Sequence, residues 1–245
     1  MRTRLSVSVS AVLLALACSS PTTPSVASSP TTTTGSTGRA PAWYSKFSTA
    51  VTVSTDGTNV VLRSNGLPDH PSPYWGVGNA LYEAPQAGMQ VNPNRISVQS
   101  LLLRVPMTPT AATASDTPLG PMGIAINGVA LFNQYAAGRS PLAGEILSFD
   151  RFNGHPQQTG QYHYHLEPLW LTSRDGEAAL IGVLLDGYPV YGPRESSGAL
   201  PAGLDTCNGH THATTDFPAG TYHYHVTTSV PYISGCFAGR PGSIG

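Results

Sequence analysis

The sequence predicts an all-β fold, rich in strands with little helix, in which a single sandwich-like domain contains two pseudo-symmetric repeats. It has 26 Gly and 22 Pro among 245 residues and no long stretch with apolar residues at helical spacing, a composition that favours strands and ordered loops. Two segments, Gly123-Ile-Ala-Ile-Asn127-Gly128-Val-Ala-Leu-Phe132 and Gly182-Val-Leu-Leu-Asp186-Gly187-Tyr-Pro-Val-Tyr191, each set an Asn-Gly or Asp-Gly pair between apolar runs. That pattern is the strongest short-range hairpin signal. The tetrapeptide Tyr-His-Tyr-His then follows each hairpin, at 162–165 and at 222–225.

From the N-terminus, Arg2 and Arg4 precede an apolar stretch from Leu5 to Ala17, which reads as an export signal over 1–17 and is too short for a membrane span. Cys18, followed by Ser19 and Ser20, is similar to the lipidated cysteine of a bacterial lipoprotein box, with Ala15 where such boxes usually carry leucine. The expectation is a lipoprotein on the outer face of the cell membrane or in the periplasm, anchored only through Cys18; the alternative is ordinary cleavage after Ala17 and secretion. Residues 18–42 are nearly all Ser, Thr, Pro and Gly, a tether that cannot bury a core. The domain is expected over 43–245. In it, Ala50-Val-Thr-Val-Ser54, Asn59-Val-Val-Leu-Arg63 and Arg95 to Val105 read as strands, and only Pro141 to Asp150 invites a short helix. A charged fraction of 10% and a net charge of −1 point away from nucleic acid and from a basic membrane-binding face.

The repeats, about 123–165 and about 182–225, extend beyond the hairpins. Asp150-Arg-Phe-Asn153-Gly154-His155 matches Asp205-Thr-Cys-Asn208-Gly209-His210, and each leads through a connection into a histidine strand. On a strand, successive side chains point to opposite faces, so each Tyr-His-Tyr-His puts two imidazoles on one face and two phenols on the other. A pseudo-two-fold axis is expected to bring the histidine strands together, so that His163, His165, His223 and His225 share one copper or zinc ion. His155 and His210 are further ligands or outer contacts, and Asp150 and Asp205 are placed to orient imidazoles from behind. Affinity is then expected to fall below the ordinary imidazole pKa of about 6.5. The competing reading is a metal-free network of histidines and tyrosines. Tyr162, Tyr164, Tyr222 and Tyr224 read as core packing, with Tyr224→Phe nearly silent. His212 is an unrepeated extra, and His70 is weighed evenly between ligand and surface. Apart from Cys18, the remaining cysteines Cys207 and Cys236 form an even pair in an exported chain, and a disulfide closing that loop is worth roughly 3 kcal/mol.

Taken together, Ser64-Asn-Gly-Leu-Pro-Asp-His70, Asp186-Gly-Tyr-Pro-Val-Tyr-Gly-Pro193, both Asn-Gly-His turns, both Tyr-His-Tyr-His strands and Pro231-Tyr-Ile-Ser-Gly-Cys-Phe-Ala-Gly239 resemble the YHYH-domain family of mostly bacterial exported proteins. The resemblance covers roughly 45–240 and implies a domain and its extent, but no particular reaction. A shorter likeness, Pro218-Ala-Gly-Thr-Tyr-His-Tyr-His225, is to the histidine strand of cupredoxin-type multicopper oxidases; it tilts the metal towards copper, although Cys236 has no adjacent histidine as those enzymes require.

Function divides among several classes. The first is a metal-binding lipoprotein. The second is a metalloenzyme, a hydrolase or a copper redox enzyme acting on a small-molecule or anionic substrate, with Glu167, Asp186 or Asp216 as general base. A metal-free phosphoesterase is disfavoured, because the residue two after each strand histidine is His165 or His225 and not a hydroxyl. A surface-binding domain would use Trp43, Trp75 and Trp170.

Overall fold

Alternating apolar residues build the first sheet. The structure, a computed structural model, describes residues 38–245; the expected export signal, Cys18 and most of the tether lie outside the described residues. β1 (Val51–Thr55) and β2 (Asn59–Ser64) form a hairpin, and β3 (Leu101–Pro106) pairs with β2 so that Leu62 lies opposite Leu103 and Val60 opposite Val105. The expected strand from Arg95 starts only at Leu101. Before it, the amides of Ile96, Ser97 and Gln99 donate to three different segments, at the carbonyls of Tyr74, Gly160 and Asn65, so no ladder forms. β4 (Ala111–Asp116) pairs away from this sheet with a late strand described below.

The repeats build the second sheet. The first contributes β5 (Gly123–Ala125), β6 (Ala130–Leu131), β7 (Gly154–Pro156) and β8 (Tyr162–Tyr164). The second contributes β9 (Leu180–Leu184), β10 (Pro189–Tyr191), β11 (Gly209–His212) and β12 (Thr221–His225). Their spatial order, β11-β12-β10-β9-β5-β6-β8-β7, is a palindrome of the two units. In each unit the second hairpin strand runs parallel to the histidine strand, which pairs antiparallel with the strand that begins at the Asn-Gly turn. The duplication axis therefore passes between β5 and β9, the antiparallel pair at the centre.

β13 (Cys236–Gly239) pairs with β4, and β14 (Ser243–Ile244) completes the first sheet beside β3. The two larger sheets share one core: Val60, Leu62, Leu103 and Val105 of the first join Ile124, Leu131, Val183, Tyr164 and Tyr224 of the second. At their junction the Ser64 hydroxyl donates to the Gly128 carbonyl (2.8 Å) in the first repeat's turn. Two short α-helices connect strands. The first, α1 (Ala143–Ile146), lies where the sequence invites one. The second, α2 (Leu169–Asp175), was not expected; at seven residues it buries only Leu171 and Thr172, too little to give a periodic signal. Cys207 and Cys236 are disulfide-bonded with Cα atoms 4.7 Å apart, tying the start of β11 to β13. No helix among the described residues is long and apolar enough to cross a membrane.

Candidate metal centres

The Asp-X-X-Asn-Gly-His segments act as turns that aim a histidine. Asp150 Oδ1 accepts the amides of Phe152 (2.9 Å) and Gly154, and Asp205 Oδ1 accepts those of Cys207 (2.8 Å) and Gly209 (3.1 Å). Asn153 and Asn208 then take left-handed φ values of 65° and 72°, which asparagine tolerates better than most residues. The next position must be glycine, because a Cβ on Gly154 or Gly209 would overlap the ring of Tyr162 or Tyr222 on the paired strand. With the chain so turned, His155 comes to lie directly opposite His163, and His210 opposite His223.

Alternation along the histidine strands sends the phenols to the other face. Tyr162 donates to Asp150 Oδ2 (2.7 Å) and Tyr222 to Asp205 Oδ2 (3.0 Å), so the aspartates brace phenols and turns. Tyr224 donates to buried Asp186 and accepts the Ala238 amide (2.8 Å). Tyr164 accepts from Asn127 (3.2 Å) and bonds His70 Nε2 (2.9 Å).

On the histidine face carbonyl acceptors fix five of the six tautomers, and a serine hydroxyl meets the sixth ring. In the second repeat the Nδ1 atoms of His210, His223 and His225 donate to the carbonyls of Ala202 (3.0 Å), Thr221 (3.0 Å) and Gly192 (2.7 Å). In the first repeat His163 Nδ1 donates to the Gln161 carbonyl (3.0 Å) and His165 Nδ1 to that of Asn133. His155 Nδ1 donates to Ser148 Oγ (2.7 Å), whose own proton goes to the Glu145 carbonyl (2.7 Å). A carbonyl can only accept, so Nδ1 carries the proton and a neutral ring leaves a lone pair on Nε2. These lone pairs converge. Nε2 of His163 lies 3.1 Å from that of His155 and 3.0 Å from that of His165; Nε2 of His223 lies 3.2 Å from that of His210 and 3.0 Å from that of His225.

Two neutral rings meeting through Nε2 lone pairs have no proton between them, so the contact repels and is not a hydrogen bond. A cation at the centre reverses the sign. Nitrogens held about 2.0–2.1 Å from one zinc ion lie about 2.8–3.4 Å apart for angles between 90° and tetrahedral, which brackets the observed spacings. Protonation is the other way to relieve the contact, and burial opposes it. Burial holds His155 down to about 3 and His165 to about 4, and pushes His163 well below the ordinary imidazole value. It lowers His223 to about 4 and also lowers His225. Protons therefore begin to compete for the first cluster near pH 4, below the 6.5 expected from free imidazole. Each cluster also has an acid. Glu195 Oε1 is 3.1 Å from His210 Nε2 and 3.5 Å from His225 Nε2; Glu145 Oε2 is 3.6 Å from His155 Nε2 and 3.8 Å from His165 Nε2. Burial raises the Glu145 pKa. The two groups, His155-His163-His165 and Glu195-His210-His223-His225, could each hold a metal ion.

The YHYH protein family profile matches residues 102–202 and 195–239. The chain belongs to the YHYH protein family. No curated protein and no solved structure matches it. Both tetrapeptides that carry the family's name thus supply imidazoles to one face and buried or half-buried phenols to the other.

Several expectations from the sequence are corrected by this geometry. His163 and His165 do not share a site with His223 and His225. β8 and β12 stand five places apart in the sheet, roughly 24 Å at ordinary strand spacing, because the apolar hairpins, not the histidine strands, meet at the duplication axis. Asp150 and Asp205 orient phenols; the imidazoles are oriented by carbonyls and Ser148. His70 is neither ligand nor surface but fully buried, bonded to Tyr164 and packed on Phe152 (ring centroids 4.6 Å). Tyr224 is more than packing, since its hydroxyl satisfies a buried carboxylate. None of the suggested bases serves a cluster: Asp186 is taken by Tyr224, Asp216 by Lys46 (2.6 Å) and Tyr191 (2.8 Å), and Glu167 is in neither group. The acids that do serve, Glu145 and Glu195, lie ten residues before His155 and fifteen before His210. Those offsets differ, so the repeat could not reveal them. Trp43, Trp75 and Trp170 are half-buried and engaged with Tyr44, the His70 carbonyl and Phe152.

Proposed function

We propose that this YHYH protein is an exported metal-binding protein that holds two copper or zinc ions, one in each repeat. The observation that carries the reading is the convergence of three Nε2 lone pairs at each cluster, with every Nδ1 proton committed to an oxygen. Three imidazoles at each cluster, joined at the second by the Glu195 carboxylate, with no thiolate, suit zinc and divalent copper among the common ions. Export rests on Arg2, Arg4 and the apolar run to Ala17, and anchoring on a lipid at Cys18; the bonded Cys207–Cys236 pair fits an oxidising compartment.

The test is elemental analysis of the untagged protein. Two ions per chain are expected, and one in His163→Ala. A metal content well below one per chain after loading with copper or zinc and desalting would overturn the reading, as would an unchanged content in His163→Ala.

A further inference from the structure

The two centres have the same three imidazoles but different fourth sides. At the second, Glu195 is only 9% exposed and joins its three histidines in one mutually close set, while its other oxygen lies 3.3 Å from His212 Nδ1. At the first, Glu145 is 34% exposed, stands farther off and falls outside the corresponding set. A cleft of about 600 Å³ opens there, bounded by Asn92, Leu119, Phe132, Tyr135 and Glu145, and reaches His155, His163 and His165. The cleft beside Glu195 does not reach the second centre's histidines. Four filled positions mark structural zinc sites, and three protein ligands with one open position mark catalytic ones.

Resting on the metal-binding reading above, we infer that the first centre is a hydrolytic site for an uncharged ester or amide, with Glu145 as its general base, and that the second is closed and structural. The substrate class follows from the lining. No Lys or Arg borders the cleft, so apart from the bound cation itself a phosphate or carboxylate substrate would find no counter-charge along the walls and would face Glu145. The walls instead present neutral Asn, Gln and Tyr side chains beside Leu119 and Phe132, a surface for a polar but uncharged molecule. In the reaction, water on the open side gives a proton to Glu145 as its oxygen bonds to the substrate carbonyl carbon. The carbon–oxygen or carbon–nitrogen bond then breaks, and Glu145 returns the proton to the departing alcohol or amine. The products are a carboxylic acid and an alcohol or amine, and water is the only co-reactant.

The test uses the full chain loaded with zinc, its metal content counted in the same samples, with p-nitrophenyl acetate as the neutral probe and p-nitrophenyl phosphate as the anionic one. Hydrolysis of the acetate above the free-zinc background is expected, with none of the phosphate. Glu145→Gln should keep two zinc ions and lose activity by roughly 10²-fold or more, the usual range for a general base. Gly144→Phe provides a second variant, because Gly144 lines the cleft and a Cβ there meets nothing within 4 Å. It should keep both ions and the fold while blocking the cleft and abolishing turnover. A protein with two zinc ions per chain but no turnover above background, full activity in either variant, or preference for the phosphate would overturn the inference. A protein that takes up no zinc would instead overturn the metal-binding reading.

Discussion

Stripping the metal and lowering the pH from about 7.5 to 5 is expected to bring the protein close to unfolding. In the folded state burial holds His155 at about 3 and His165 and His223 at about 4, against about 6.5 in an unfolded chain. At pH 5 the folded imidazoles are therefore neutral while those of the unfolded chain bind protons. Because the unfolded state binds more protons, stability is lost as the pH falls through about 6.5, and the loss levels off only near the folded values of about 3 to 4. Each such group costs about 1.4 kcal/mol per pH unit in that window, hence about 2 kcal/mol at pH 5. The losses at His155 and His165 add to about 4 kcal/mol and the better-screened His223 brings the total to about 5 kcal/mol, since the folded rings stay almost wholly neutral there. A domain of ordinary stability has about 5–15 kcal/mol in all. Urea denaturation of the chelated protein, followed by intrinsic fluorescence at several pH values, measures this directly. A free energy of unfolding that changes by less than about 1 kcal/mol over the range would refute the picture of buried, neutral imidazoles.

Tyr224→Phe should lower stability by about 1–3 kcal/mol, because it leaves the Ala238 amide without its acceptor and takes the hydroxyl donor from the buried Asp186 carboxylate, which keeps only the Gly239 and Tyr188 amides; thermal denaturation reads the loss, and metal content should not change. Reducing the Cys207–Cys236 bond should cost roughly 3 kcal/mol and weaken metal retention at the second centre alone, since the bond ties the turn before β11 to β13, which pairs with β4 outside the first repeat. Equal loss of metal from both centres on reduction, read by elemental analysis of His163→Ala beside the parent, would count against that assignment.

The sequence by itself determined what local patterning and duplication encode. The Asn-Gly and Asp-Gly hairpins, the alternation of imidazole and phenol along Tyr-His-Tyr-His, and the cysteine partners all depend on residues close in the chain or on the repeat itself. The tertiary structure decided how the repeats meet. Pairing β5 with β9 puts the fully buried apolar hairpin strands in the middle of the sheet, and the histidine strands, each paired to the outer strand of its own hairpin, lie outward toward opposite ends. One expected centre thereby becomes two. It also decided the acids, because Glu145 on α1 and Glu195 after β10 reach their clusters through space from unmatched positions, and it gave Asp150 and Asp205 to the phenols, since a strand that turns its histidines one way must turn its tyrosines the other.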